Sequence, residues 1–201
     1  MQVMTAILLL CTANVCRSVM AQAMLSARLA AAGAPVPVTS AGLRDGGRPP
    51  PPEVISVMAA RGINVAGHRS RRVTADDLAA ADLVLGLARE HVRHAAVLRP
   101  ESWSCAFTLR ELVRRGLRAG AREPGEPLSD WLARAAGDRD RRDSLGGRPA
   151  DDVPDPYGGP RAGYQATASL LDGLTRDLAA LCWPVQRPLP ESAASVLDRD
   201  L

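Results

Sequence analysis

A chain of 201 residues that is 46% hydrophobic can bury a core of its own, and its four cysteines, Cys11, Cys16, Cys105 and Cys182, have neither the density of a secreted disulfide scaffold nor zinc-ligand spacing. A formal net charge of +3, carried by scattered arginines with no lysine at all, excludes the gathered basic face of a nucleic-acid binder. No apolar run reaches the length of a bilayer span, so no membrane partner is expected.

Met4 to Leu10 is a continuous apolar run without alternation, the pattern of a strand covered on both faces of a parallel sheet. No basic residue precedes Arg17 and Asn14 follows at once, so the run is read as a strand and not an export signal, and the expected setting is the cytoplasm. Ser18 to Ala32 carries Met20, Met24, Leu25 and Leu29 at helical spacing and stops at Gly33 and Pro35. Pro35 to Gly42 supplies a second short strand, Glu53 to Arg61 a helix, Ile63 to Val65 a brief strand, and Ala75 to Ala81 another helix. Asp82 to Ala88 reads as a further buried strand, followed by a helix over Glu90 to Leu98. In SCAFTLREL a strand runs into a helix whose Thr108 and Glu111 have capping-box spacing.

This alternation predicts an α/β fold: one three-layer domain over residues 1–183, with a central parallel sheet flanked by helices and a phosphate-binding loop after the first strand. From Gly116 to about Asp152 the pattern loosens into an expected mobile insertion holding one helix, Leu128 to Ala136. A long helix from about Pro160 to Leu181 closes the domain, and 184–201 reads as a disordered tail.

The stretch LLLCTANVCRSVM carries the chemistry. In an open parallel sheet ligands bind at the carboxyl ends of strands, where a loop entering a helix turns its N–H groups toward an anion. Thr12, Ala13, Asn14, Val15, Cys16 and Ser18 would form that cradle, and Arg17 would add a bidentate charged contact. Cys11 beneath the helix N-terminus and the guanidinium would be held as a nucleophilic thiolate. On this segment alone, Cys11 also reads as a small buried side chain and Arg17 as a solvated helix residue. Asp155, between two prolines, would protonate the leaving oxygen and then activate water; alone, it also reads as a turn aspartate. Asp151 and Asp152 read as solvated loop carboxylates.

Together, Cys11-Thr12-Ala13-Asn14-Val15-Cys16-Arg17-Ser18 and Asp155-Pro156-Tyr157 resemble the low-molecular-weight protein tyrosine phosphatases, whose pattern is C-x-G-N-x-C-R-S followed near the C-terminus by D-P-[YF]. SAG at Ser40 to Gly42 is a further match, and GHRSRRVT at Gly67 to Thr74, DLVLGLAREH at Asp82 to His91, and FTLREL resemble a bacterial branch. The likeness covers roughly residues 3–115 and 150–182. It implies Cys11 as nucleophile, Arg17 as phosphate clamp and Asp155 as acid then base. Asn14, Ser18, Ser40 and His68 would brace the loop, and Tyr157 would form a substrate wall. It also implies a reversible Cys11–Cys16 disulfide, although Cys16 reads equally as packing.

Ala13 departs from the usual glycine, Val19 from the usual proline, and Leu43 to Arg48 lacks the usual aromatic wall. The implied activity is hydrolysis of phosphate monoesters, protein phosphotyrosine or a small phosphate ester, with no metal or cofactor. The alternatives are an arsenate reductase on the same fold using an external thiol, and an inactive phosphate-binding protein.

Overall fold

The computed structural model describes residues 5–34, 36–137, 139–140 and 148–184. Strands β1 (Ile7–Cys11), β2 (Val38–Gly42), β3 (Leu83–Gly86) and β4 (Ala106–Thr108) form one parallel sheet in the order β2-β1-β3-β4. Helices α1 (Arg17–Ala31), α2 (Pro52–Ala59), α3 (Ala75–Ala79), α4 (Arg89–Leu98), α5 (Leu109–Ala119), α6 (Leu128–Ala136) and α7 (Arg161–Cys182) surround it, with short 3-10 turns at Pro100–Ser104 and Pro149–Asp151.

β1 is apolar at every position because it is covered on both faces. Ile7, Leu9 and Cys11 join one core cluster with residues of α1, α2, α5, α6 and α7, while Leu8 and Leu10 join the other with Leu78 of α3 and Val92 and Ala95 of α4. Full burial of each such leucine is worth about 1.5–3 kcal/mol. Strand order reverses at β1: the chain passes through α1 to β2 on one side, and β3 passes through α4 to β4 on the other. With α1 and α4 on opposite faces, the loops after β1 and β3 part at their carboxyl ends and open the crevice where such folds bind ligands. The Thr108–Glu111 capping box forms as its spacing predicts.

Ile63 to Val65 is not a strand. Its first N–H is taken by Met58 O at 3.0 Å, closing α2, and Asn64 Oδ1 accepts the Ala66 N–H at 3.0 Å in a local turn. The lone bridge beside β2 lies further on, at Arg72 against Gly42. Helical structure continues into the segment from residue 116. Residues 116–119 complete α5, and α6 buries Trp131 fully against the core. A Cβ on Gly116 would stand 2.9 Å from the Trp131 ring, so the indole lies where only glycine leaves room. Beyond α6, Arg139 stacks 3.8 Å from the Trp103 ring and 4.2 Å from Phe107 and pairs with Glu111 at 3.0 Å, fastening the chain to the β4 edge. Residues 138 and 141–147, and the expected tail from 185, lie outside the described residues. No described helix is long and apolar enough to cross a membrane.

Candidate active site

Residues 12–16 link the buried end of β1 to the first turn of α1. Cys16, at the N-cap, contributes no side-chain cap, and the first turn carries no acidic residue, so the positive end of the helix faces this loop. The turn depends on Asn14, whose φ of 52° is the only positive value at a non-glycine among the described residues. Ala13 is therefore outside the left-handed region, and replacing glycine there costs no backbone strain.

Asn14 is fully buried and uses both ends of its amide. Its Nδ2 donates to Ser18 Oγ at 2.9 Å and Ser40 Oγ at 2.8 Å, and its Oδ1 accepts the Arg71 N–H at 3.0 Å. Ser40 passes its own proton to Gln22 Oε1 at 2.5 Å. His68 Nε2 lies 2.9 Å from the Asn14 carbonyl, and burial is the main reason its pKa falls below the usual histidine value. A neutral ring with its proton on Nε2 satisfies that contact. Gly42 lets β2 approach: a Cβ there would meet Ala13 C and Asn14 N at 2.9 Å. Ser18, Ser40 and His68 thus brace the loop through Asn14.

Cys11 Sγ accepts the Asn14 N–H at 3.2 Å and lies 3.0 Å from Ser18 Oγ. Because Ser18 already accepts from Asn14, its hydroxyl proton is available to the sulfur. Arg17, 5% exposed, points its Nη2 at Asp155 Oδ2, 2.6 Å away, and at Thr12 Oγ1, 3.1 Å away, while Nη1 donates to Val153 O at 3.3 Å. Asp155 is thereby brought across 138 positions of sequence onto the loop that begins with Cys11. Val15 and Cys16 are buried under the loop. Cys16 and Cys11 are free thiols, and Cys16 is pushed up to about 12, chiefly by burial and then by the charges of Asp155 and Cys11. At neutral pH it is a packed thiol.

Two residues after β3, Glu90 and His91, also enter the site. His91 is fully buried; its Nδ1 accepts the Ala88 N–H at 2.8 Å, which places the ring proton on Nε2, 3.2 Å from Thr12 Oγ1 and 3.3 Å from Glu90 Oε1. Thr12 donates to Glu90 Oε1 at 3.1 Å and accepts from Arg17 Nη2, so Glu90 and His91 reach the guanidinium through Thr12. Burial, with the charge of Arg17, lowers His91 to about 3 and keeps it neutral. The carboxyl-end rule, applied to β3 as well as β1, is the sequence signal that points to them.

Asp151 and Asp152 are not solvated carboxylates. Asp151 is buried against Arg114 at 2.9 Å, and Asp152 is gripped by Arg89 at 3.0 Å. Tyr157 stands at the rim, 54% exposed, with its N–H donating to Asp155 Oδ1 at 3.2 Å. Arg48 faces it, donating to the phenol oxygen at 2.8 Å with its guanidinium carbon 5.7 Å from the ring centroid.

Residues 6–127 match the family described as low molecular weight phosphotyrosine protein phosphatase. The chain belongs to that family. This phosphatase is 36% identical over 128 residues to the "Probable low molecular weight protein-tyrosine-phosphatase EpsP" of Ralstonia solanacearum, a match covering 63% of the chain and 86% of the relative. Among solved structures it resembles the low molecular weight protein tyrosine phosphatase of T. tengcongensis, with 31% identity, a TM-score of 0.66, and 87% and 97% of the two chains covered. It also resembles a YwlE arginine phosphatase, a cysteine-to-serine variant with a phosphorylated active-site serine, at 26% identity and a TM-score of 0.67, with 87% and 93% covered. The family match ends before Asp155, so in this phosphatase the carboxylate is located by its contact with Arg17.

Proposed function

We propose that the protein hydrolyses phosphate monoesters, with protein phosphotyrosine as its substrate class, through a phosphocysteine on Cys11. The observation that carries this reading is the 2.6 Å contact of Asp155 with Arg17 at the loop holding Cys11. The phosphoryl oxygens would take the Arg17 fork and the loop N–H groups, releasing the Asp155 carboxyl toward the ester oxygen. The Cys11 thiolate attacks phosphorus; the P–O bond breaks and the leaving oxygen takes the proton of Asp155. Water then attacks the phosphocysteine, Asp155 takes its proton, and the S–P bond breaks to return the thiolate and inorganic phosphate.

Tyr157 and Arg48 support an aryl substrate, because an aromatic ring and a guanidinium paired at the rim are both groups that stack on a substrate ring. A phosphoarginine side chain would instead bring a second guanidinium against Arg48. Asp155 also favours hydrolysis over arsenate reduction by an external thiol, which has no need of a carboxyl at this place, and over an inactive phosphate binder.

Kinetics on a phosphotyrosine peptide, a phosphoarginine peptide and arsenate with a small thiol test the reading. Wild type should release phosphate fastest from phosphotyrosine, and Cys11→Ser should bind vanadate without turnover. Faster release from phosphoarginine, or arsenate-dependent thiol oxidation without ester hydrolysis, would replace this substrate assignment.

A further inference from the structure

The loop that carries Asp155 is fastened to the molecule at a place the chemistry does not use. In the first turn of α4 the Arg89 N–H donates to Asp152 Oδ1 at 2.8 Å. The Arg89 side chain closes on the same carboxylate, with Nε 3.1 and 3.2 Å from its two oxygens and Nη2 3.0 Å from Oδ2. Ala88 at the N-cap makes no side-chain cap, so Asp152 caps α4 from a distant part of the chain. Burial alone would raise the Asp152 pKa, but the Arg89 bonds outweigh it and hold the carboxyl below its usual range.

The link from this clamp to Asp155 has little slack. Val153 is 2% exposed; its N–H donates to Leu87 O at 2.8 Å and its carbonyl accepts from Arg17. Pro154 has a ring-fixed φ, and its carbonyl accepts from Thr167 Oγ1 at 3.4 Å. The clamp on Asp152, the bonds of Val153 and the ring of Pro154 thus act in series to fix the backbone that leads to the Asp155 carboxyl.

We infer that Arg89, acting through Asp152, is a positioning residue for the general acid, setting where Asp155 stands over the phosphate loop. This rests on the assignment of Asp155 as proton donor. Its consequence is selective: with the clamp removed, an ester whose leaving oxygen needs a proton suffers, and one that leaves unaided does not.

The test is kcat/KM across aryl phosphates of graded leaving-group basicity, for wild type, Arg89→Ala, Asp152→Asn, Asp155→Ala and the Arg89→Ala/Asp155→Ala double variant. Asp152→Asn keeps an acceptor for the Arg89 N–H, and so serves if loss of the arginine unfolds the chain. Either clamp variant should lose about tenfold or more on phenyl phosphate and no more than about twofold on dinitrophenyl phosphate. In the Asp155→Ala background, Arg89→Ala should cost nothing further. Equal losses across the series, or an undiminished loss in that background, would overturn the positioning role. If Asp155→Ala itself falls equally on good and poor leaving groups, the acid assignment is wrong and the inference falls with it.

Discussion

Replacing Asn14 separates the two things it supplies to the loop. Its side chain makes three hydrogen bonds, to Ser18, Ser40 and the Arg71 N–H, in a site without solvent access. At about 1 kcal/mol net for each bond, either truncation loses about 3 kcal/mol of hydrogen bonding. Asn14→Ala keeps, as the wild-type side chain does, a Cβ at φ 52°, whereas Asn14→Gly sheds that strain of about 1–2 kcal/mol. Glycine's larger unfolded-state entropy, about 0.4–1 kcal/mol, offsets part of this relief. Alanine, at a loss of about 3 kcal/mol, should therefore be the less stable of the two by about 0.5–1 kcal/mol. Urea denaturation measures both values, and a loss of about 2–3 kcal/mol leaves most domains folded. Both variants should also lose about a hundredfold in kcat/KM, because the Asn14 N–H to Cys11 Sγ contact moves with the loop. A glycine variant within about 1 kcal/mol of wild type, or an alanine variant more stable than glycine, would refute this account of the loop.

Gly42→Ala drives a Cβ into the backbone of Ala13 and Asn14 at 2.9 Å; it should cost about 1–3 kcal/mol and more than about tenfold in kcat/KM, read by urea titration and steady-state kinetics. His91 titrates near 3 when folded against 6.5 when unfolded, so the unfolded chain binds more protons between those values. Its contribution to stability is complete above pH 6.5 and lost as pH falls toward 3, at no more than about 1.4 kcal/mol per pH unit. Denaturation midpoints across pH should show this limb flattened in His91→Gln. Trp131→Ala empties a fully buried site beside Gly116 and should cost about 3–5 kcal/mol in chemical denaturation while leaving kcat/KM of the folded fraction within about twofold.

Much of the site was legible because its signals are local. An unbroken apolar strand, a loop with an asparagine able to take positive φ, and a helix opening on Arg17 lie within a dozen residues and place the cradle without tertiary information. Asp155 stood out because two prolines flank it. What stayed hidden depends on partners from elsewhere. The REH triplet after β3 reads as an ordinary helix start until α4 docks beside Thr12. Asp152 reads as a surface carboxylate until Arg89 reaches it, and Arg139 as a loop cation until Trp103 and Phe107 flank it. Gly116, which loosens the helical pattern on paper, is the gap into which Trp131 packs. Ile63 to Val65 reads as a strand because two β-branched residues flank Asn64, until α2's carboxyl end claims the first N–H.

The central claim is that phosphorus passes through the sulfur of Cys11. Rapid acid quench of the protein turning over an aryl phosphate, followed by intact-mass measurement and peptide mapping, tests it most directly. The account predicts one phosphoryl group per chain, on the peptide holding Cys11, absent in Cys11→Ala. Turnover at full rate in Cys11→Ala, or a phosphoryl group mapped to another residue, would contradict it.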